Sequence, residues 1–289
     1  MRVFVTGASG FVGSAVVKEL IDAGHQVTGL ARSDAAAKSV SAMGAEVHRG
    51  ALNDLESLKR GAAASEGVIH TAFIHDFTDF DASCTADKLA IEAIGGVLAA
   101  SGRPLIVTSG TLGRRTEQDA PSHPLPRKSE ETGLAFASQG VRAMAVRLSP
   151  SVHGDGDHGF VPRLIAVARE KGFSSYVGDG KNCWSAVHRL DAARLYRLAL
   201  EKGNAGDRFH GVADEGIPIR DIAEIIGRRL NVPAASKTPE EVAAILGFIG
   251  VVLAMDGSSS SKQSQEQLGW RPTQPGLIHD LEEGRYFET

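Results

Sequence analysis

Tyrosine is scarce in this chain, with only Tyr176, Tyr196 and Tyr286 among 289 residues. Chemistry that needs a tyrosine at a set place therefore has few ways to be met. Cysteine is scarcer still: Cys84 and Cys183 stand far apart with no metal-ligand spacing. Such a pair excludes a disulfide framework and accords with a reducing cytoplasm, the expected location. Charge of one sign is also lacking. Thirty-one basic side chains meet 35 acidic ones, for a net charge of −4, which leaves no electrostatic footprint for nucleic acid. Long apolar runs are missing. The longest, "AAILGFIGVVLAM" (243–255), is too short to span a bilayer. A buried helix or a pocket wall is its expected role. "MRVFVTG" meets glycine at once, without the long apolar core of a secretory signal. Neither tandem repeats nor low-complexity tracts occur.

What is present is ordinary globular material, 42% apolar, long enough for one large or two intimate domains. Strand-like and helix-like segments alternate through the first half. "RVFVTG" (2–7) is a strand ending in glycine, and residues 11–23 carry Val12, Val16 and Leu20 at helical spacing. Further strands are expected at 26–32, 45–50, 67–73, 103–110 and 141–150, with helices at 87–102 and 129–140, the latter with Ser129 as candidate cap. This rhythm predicts an α/β, Rossmann-like doubly wound parallel sheet, whose ligands bind at the carboxyl ends of the strands. After about residue 151 the rhythm breaks into Gly-, Asp- and His-rich loops. The expected division is a nucleotide-binding domain over 1–152 and a smaller C-terminal substrate lobe over 153–289, with helix 190–201 returning to the main sheet.

"TGASGFVG" (6–13) sets Gly7, Gly10 and Gly13 between the first strand and first helix. One glycine makes the tight turn, one lets backbone meet a pyrophosphate, and one lets helix pack on strand. Unpaired N–H groups of the helix then face the anion. The Gly-x-x-Gly-x-x-Gly spacing resembles the short-chain dehydrogenase/reductase superfamily. "GVIHTAF" (67–73) and "IVTSGTLG" (106–113) resemble its fourth and fifth strands. "VRLSPSVHGDGDHGFVP", "WSAVHRLDAARL" and "EQLGWRPT" resemble segments of its extended, epimerase/dehydratase-like subfamily, in the same order. The resemblance thus covers nearly the whole chain. It implies a nicotinamide dinucleotide held by Thr6, Gly7, Ser9, Gly10, Phe11, Val12 and Gly13 at the turn. Leu52, Thr71, Ala72, Phe73, Thr108, Pro150 and Ser151 would line the remainder of its site.

Cofactor choice turns on the end of the second strand, "GLARSD" (29–34). An acidic residue there binds the ribose hydroxyls of NAD, and a basic one accommodates the 2′-phosphate of NADP. Arg32 and Ser33 favour NADP, since arginine offers a fork of donors to a phosphate. Asp34 is the complication, because it could pair with Arg32 or serve NAD. Ala51 stands where many relatives of the resembled family carry an aspartate facing adenine.

The resemblance also implies a Tyr-x-x-x-Lys pair after the fifth strand, and this chain departs from it. "PLPRKSEETG" (124–133) carries Arg127 and Glu131 at those places. Arginine stays protonated, so it is a poor general acid but can stabilise an oxyanion. Thr108, Ser109 and Thr111 offer the family's hydroxyl, with Ser109 preferred for catalysis. His75, on the loop after the fourth strand, is the candidate proton donor. His153 and His188 are read as structural. Thr111, Phe160, Tyr176 and Trp184 are candidate substrate contacts, with ordinary core as the alternative for Trp184. Among candidate metal ligands no spacing stands out.

These residues imply an NADP-dependent oxidoreductase that reduces the carbonyl, imine or activated alkene of a small organic molecule without the usual tyrosine. The alternatives are a non-catalytic NADP-binding sensor, or an isomerase or lyase of the epimerase/dehydratase type. The expected partner is a small-molecule substrate, with neither nucleic acid nor membrane, and a homodimer is left open.

Overall fold

The computed structural model describes residues 1–76, 78–120 and 126–288. Positions 124 and 125 of the "PLPRKSEETG" segment lie outside these. The first half builds β1 (Arg2–Thr6), α1 (Phe11–Asp22), β2 (Gln26–Ala31), α2 (Asp34–Ala42), β3 (Glu46–Arg49), α3 (Leu55–Ala63), β4 (Gly67–His70), α4 (Phe80–Leu98), β5 (Pro104–Gly110), α5 (Ser129–Leu134), a 3₁₀ turn (Ala135–Gln139) and β6 (Arg142–Leu148). The second half adds β7 (Ser151–His153), α6 (Phe160–Lys171), β8 (Ser174–Val177), β9 (Cys183–His188), α7 (Arg189–Lys202), β10 (Arg208–Gly211), β11 (Asp214–Pro218), α8 (Ile219–Leu230), β12 (Ala234–Lys237), α9 (Pro239–Leu246), α10 (Phe248–Leu253), α11 (Lys262–Leu268) and α12 (Leu277–Glu283).

Seven parallel strands form the main sheet in the order β10-β6-β5-β4-β1-β2-β3. Val3, Phe4 and Val5 of β1 are wholly buried, as expected for a central strand covered on both faces. One apolar layer sets α1 and α7 against the sheet through Val16, Leu20, Leu195 and Tyr196. The opposite layer uses Leu58, Ile91, Ile94 and Leu98 of α3 and α4. The strand order reverses between β1 and β4, so the crevice beyond their carboxyl ends is the ligand position of such sheets.

The chain beyond residue 152 does not stay in its own lobe. Helix α7 lies on α1, and β10 pairs with β6 at the sheet's edge (Phe209 opposite Val146). The remainder forms a lobe with its own core, built on Trp184, Ile222, Leu253 and Leu281. Helix α4 begins at Phe80, earlier than the expected 87, because the Asp79 side chain accepts from Ala82 N–H and caps it. The strand expected over 67–73 ends at His70. The apolar run 243–255 is divided between α9 and α10 at Gly247, whose backbone (φ 59°, ψ −132°) suits glycine alone. Among the described residues no helix is long and apolar enough to cross a membrane.

Candidate active site

The turn between β1 and α1 is built as a cradle. Gly7 has φ +70°, and a Cβ there would stand 2.8 Å from Ala72 N and from Thr71 Oγ1. A Cβ on Gly13 would lie 2.1 Å from the Gly7 carbonyl oxygen, so only glycine lets α1 pack on the turn. Gly10 caps α1 without any side-chain hydrogen bond, leaving the first-turn N–H groups of Phe11, Val12 and Gly13 for a ligand. Ser9 and Gly10 are exposed. Thr71 Oγ1 donates to the Thr6 carbonyl (2.7 Å), which ties the loop after β4 to the turn. Ser151, after β6, has a buried hydroxyl with no partner among the described residues, and Pro150 beside it is half-buried. Arg189 of the second half was missed in the sequence. Its guanidinium lies over the Phe11 ring (4.6 Å), donates to Ser14 Oγ (2.8 Å), and puts a cation beside the helix start. Its signal was a basic residue inside "WSAVHRLDAARL". These features fit a dinucleotide.

At the end of β2, Asp34 is taken by Arg49 (Nη2 to Oδ1, 2.6 Å). Arg32 is exposed and makes no ion pair among the described residues. Ser33 Oγ accepts from Ala36 N–H and caps α2. Leu52 is half-buried against the α3–α4 layer.

Arg127 sits at the carboxyl end of β5. Its Nη2 donates to the Thr108 carbonyl (2.9 Å) and its Nε to Ser129 Oγ (2.7 Å). Its face stacks on Phe73, 4.1 Å from the ring centroid, a favourable cation–π geometry. Its Nη1 has no hydrogen-bond partner among the described residues. Burial lowers its proton affinity, partly offset by Asp87, yet arginine keeps its charge. Behind it runs a buried chain that the sequence reading did not find. Ser129 Oγ donates to Asp87 Oδ2 (2.5 Å), His70 Nε2 to Asp87 Oδ1 (3.2 Å), and Thr6 Oγ1 bonds His70 Nδ1 (2.9 Å). Burial alone would raise the Asp87 carboxyl. The hydrogen bond from His70, together with the charge of Arg127 and the bond from Ser129, holds it below the ordinary value.

The three candidate hydroxyls separate. Thr108 is buried, donates to the His70 carbonyl (2.8 Å) and shares a bond with the Tyr196 hydroxyl (2.7 Å). Thr111 is fully buried and bonds Ser185 (3.3 Å). Ser109 is half-buried and makes no side-chain hydrogen bond among the described residues. Strand alternation explains this, because Thr108 and Ser109 face opposite sides of β5. His75 lies beside Phe73 (ring centroids 5.2 Å apart). Burial, then the charges of Arg127 and His158, lower its proton affinity. Depression makes His75 a poorer carrier of a transferable proton at neutrality than the sequence implied.

Two candidate substrate contacts have their surroundings defined, and for Trp184 these are the core alternative. Trp184 is wholly buried in the second lobe's core and donates to the Val252 carbonyl (3.3 Å), so it presents no surface to a ligand. Tyr176 sits on β8 against Arg220 (5.6 Å), joined to none of the groups around Arg127. Phe160 opens α6, half-buried against Trp184 (5.7 Å). An aromatic row instead leads away from Arg127. Phe73 meets Phe80 (5.9 Å), and Phe80 meets Phe248 of α10 (5.3 Å). No group of candidate metal ligands occurs among the described residues.

The family model for the NAD dependent epimerase/dehydratase family matches residues 3–85. An uncharacterized protein of Schizosaccharomyces pombe is 51% identical, over 99% of this chain and all of its own. A 4-hydroxy-2-methyl-3-oxo-4-farnesyl-3,4-dihydroquinoline-1-oxide ketoreductase of Stigmatella aurantiaca is 32% identical, over 76% of this chain and 70% of its own. The solved dTDP-glucose 4,6-dehydratase of Streptomyces venezuelae, with NAD and TYD bound, superposes with a TM-score of 0.78 at 18% identity, over 99% and 97% of the two chains, a likeness of fold. The chain belongs to the NAD-dependent epimerase/dehydratase family, within the extended short-chain dehydrogenase/reductase group. Its relatives include reductases, dehydratases and epimerases.

Proposed function

We propose that this protein is an NADP-dependent reductase of a carbonyl group borne by an apolar substrate. The observation that carries the reading is the fixed guanidinium of Arg127, with Nη1 unpaired, at the end of the strand that also presents the free hydroxyl of Ser109. Together they offer two donors to an oxygen on which negative charge develops. A bound nicotinamide nucleotide supplies the reducing equivalent. The chain's own residues hold the carbonyl oxygen, stabilise its charge and leave protonation to His75 or solvent. The Arg32 side chain, left out of the Arg49–Asp34 pair, favours a 2′-phosphate over two ribose hydroxyls. The row Phe73–Phe80–Phe248, flanked by the exposed Ile74 and Val251, favours an apolar body on the substrate. The Stigmatella ketoreductase, whose named substrate carries a farnesyl chain, agrees with this.

The test is NADPH oxidation against ketones of graded apolar size, with nucleotide sugars as the contrasting panel. Turnover of apolar ketones is expected. Arg127→Ala and Ser109→Ala should each lower kcat by about 10- to 1000-fold, and Arg32→Ala should remove most of an NADPH preference of about 1–3 kcal/mol. Equal affinity for NADH and NADPH removes the cofactor assignment. Tight NADPH binding with no turnover of any class supports the sensor reading instead.

A further inference from the structure

We propose that Asp87, acting through Ser129, is the positioning group of this site, fixing where the Arg127 guanidinium stands and so which edge it offers to a substrate. The inference rests on the reading of Arg127 as an oxyanion donor.

Every proton in the chain has one direction. The Ala72 N–H donates to Thr6 Oγ1 (3.3 Å), so the Thr6 hydroxyl can give its own proton to His70 Nδ1. With its proton on Nε2, His70 donates to one Asp87 oxygen. Ser129 donates to the other and accepts from Arg127 Nε. No donor is wasted and no acceptor is shared against its lone pairs. Asp87 and His70 have no exposed side-chain surface at all. A carboxylate so deep is costly unless it is paired and hydrogen-bonded, and here it has both kinds of support. Arg127 Nε lies 3.8 Å from Asp87 Oδ2, so Ser129 stands as a hydroxyl bridge within an ion pair.

This geometry assigns tasks to the guanidinium's edges. Nε is held by Ser129, Nη2 by the Thr108 carbonyl, and the face by Phe73. Arginine carries several rotatable bonds, and a free side chain would spread over many rotamers. Three restraints from three elements leave Nη1 as the edge for a ligand. The chain's other end, Thr6, begins the phosphate-binding turn, so one continuous network joins the turn to the site.

The test compares single and double variants in the full chain. Ser129→Ala removes the bridge and Asp87→Asn removes the charge. Each should lower kcat about 10- to 100-fold, the scale of a misplaced group, while NADPH affinity stays within about twofold. On an Arg127→Ala background neither should lower kcat further, since a group that acts only through Arg127 has nothing left to position. A readout independent of turnover is hydrogen exchange at Arg127 Nε–H, which should quicken at least about tenfold in Ser129→Ala. Ser129→Thr, which keeps the hydroxyl, should restore both. If Arg127→Ala lowers kcat while Ser129→Ala changes neither kcat nor exchange, the positioning role is wrong and the oxyanion reading stands. If Arg127→Ala leaves kcat intact but Ser129→Ala quickens exchange, the clamp exists and the oxyanion reading fails. Should Asp87→Asn not fold, the Ser129 variants decide alone.

Discussion

Ser129 and Glu130 are neighbours in the chain, yet they serve two buried networks of opposite character. Glu130 is grasped by Arg147 at both oxygens (2.7 and 2.6 Å), again by Arg208 (2.8 Å), and approached by Arg114 (3.9 Å). Arg147 spends its remaining edge on the Glu117 carbonyl and on His210 Nε2 (both 3.2 Å). His210 in turn gives its other nitrogen to the Ser260 carbonyl (2.8 Å). Around Arg147 every direction is used. Ser129 joins Asp87 to Arg127, and there the network stops with Nη1 unclaimed. Both are arginine–carboxylate systems under low exposure. The first closes around Glu130 and ties β6, β10, α5 and the loop after β5 together, with Arg114 Nε a buried donor that has no partner among the described residues. The second ends at Arg127, at the carboxyl end of β5. The two networks differ in access: the unfilled donor of the first, Arg114 Nε, is sealed from solvent on a side chain 3% exposed, whereas the Arg127 side chain is 24% exposed.

The largest expected effect tests the closed network. Glu130→Ala strands Arg147 and Arg114, whose side chains are 1% and 3% exposed. Removing one partner of a buried pair costs about 3–5 kcal/mol. Ser129→Ala should cost only about 1–2 kcal/mol, the scale of one lost hydrogen bond with an unsatisfied partner. Denaturant unfolding at neutral pH measures both. The comparison breaks if the order reverses.

Next in size is a pH effect. Burial pushes His210 down to about 4, and the charge of Arg147 opposes its protonation further. In the unfolded chain it titrates near the ordinary value of about 6.5. The sign follows from linkage. Below about 6.5 the unfolded state binds a proton that the folded state refuses, so stability falls as pH drops toward 4. The loss is on the order of 3 kcal/mol across that window. His210→Gln, which keeps an acceptor for Arg147, should flatten the acid limb of a melting-temperature profile. An unchanged limb would place the titration elsewhere.

The two networks also differ in how far they could be read from sequence. The sheet was legible because buried parallel strands are short apolar runs punctuated by glycine, and β5 (Pro104–Gly110) starts one residue inside its expected span, 103–110. Gly7 and Gly13 were legible because their backbone leaves no room for a Cβ. Arg127 was found only as a departure from a family's pattern. Its partners were hidden because His70 to Asp87, and Asp87 to Ser129, are contacts between separate elements. Ser129 read as a helix cap, and it is instead the first residue of α5, turned inward. One signal was available. Asp87 shares the stripe of Ile91, Ile94 and Leu98 on α4, and an acid on a core-facing stripe demands a buried partner. The same stripe logic could not show that β10 joins the main sheet, because strand order is a tertiary fact.

The smallest expected effect concerns Glu131, which occupies the place of the expected lysine. In a Tyr-x-x-x-Lys pair, helical spacing sets both side chains on one face. Here α5 starts at Ser129, after Arg127, so the four-residue spacing carries no such geometry. Arg127 turns inward to Ser129 and Thr108, whereas Glu131 turns outward, about half exposed (49%), with Lys128 3.9 Å away. An exposed pair of this kind is worth about 0–1 kcal/mol. Glu131→Ala should therefore change stability by less than about 1 kcal/mol and leave kcat within about twofold of the parent, with Arg127→Ala as the contrasting variant. A large loss of turnover in Glu131→Ala would mean that the two residues act as a pair after all. The open network would then include an acid on the solvent side, and the contrast between a sealed network and an accessible guanidinium would have to be redrawn around that second charge.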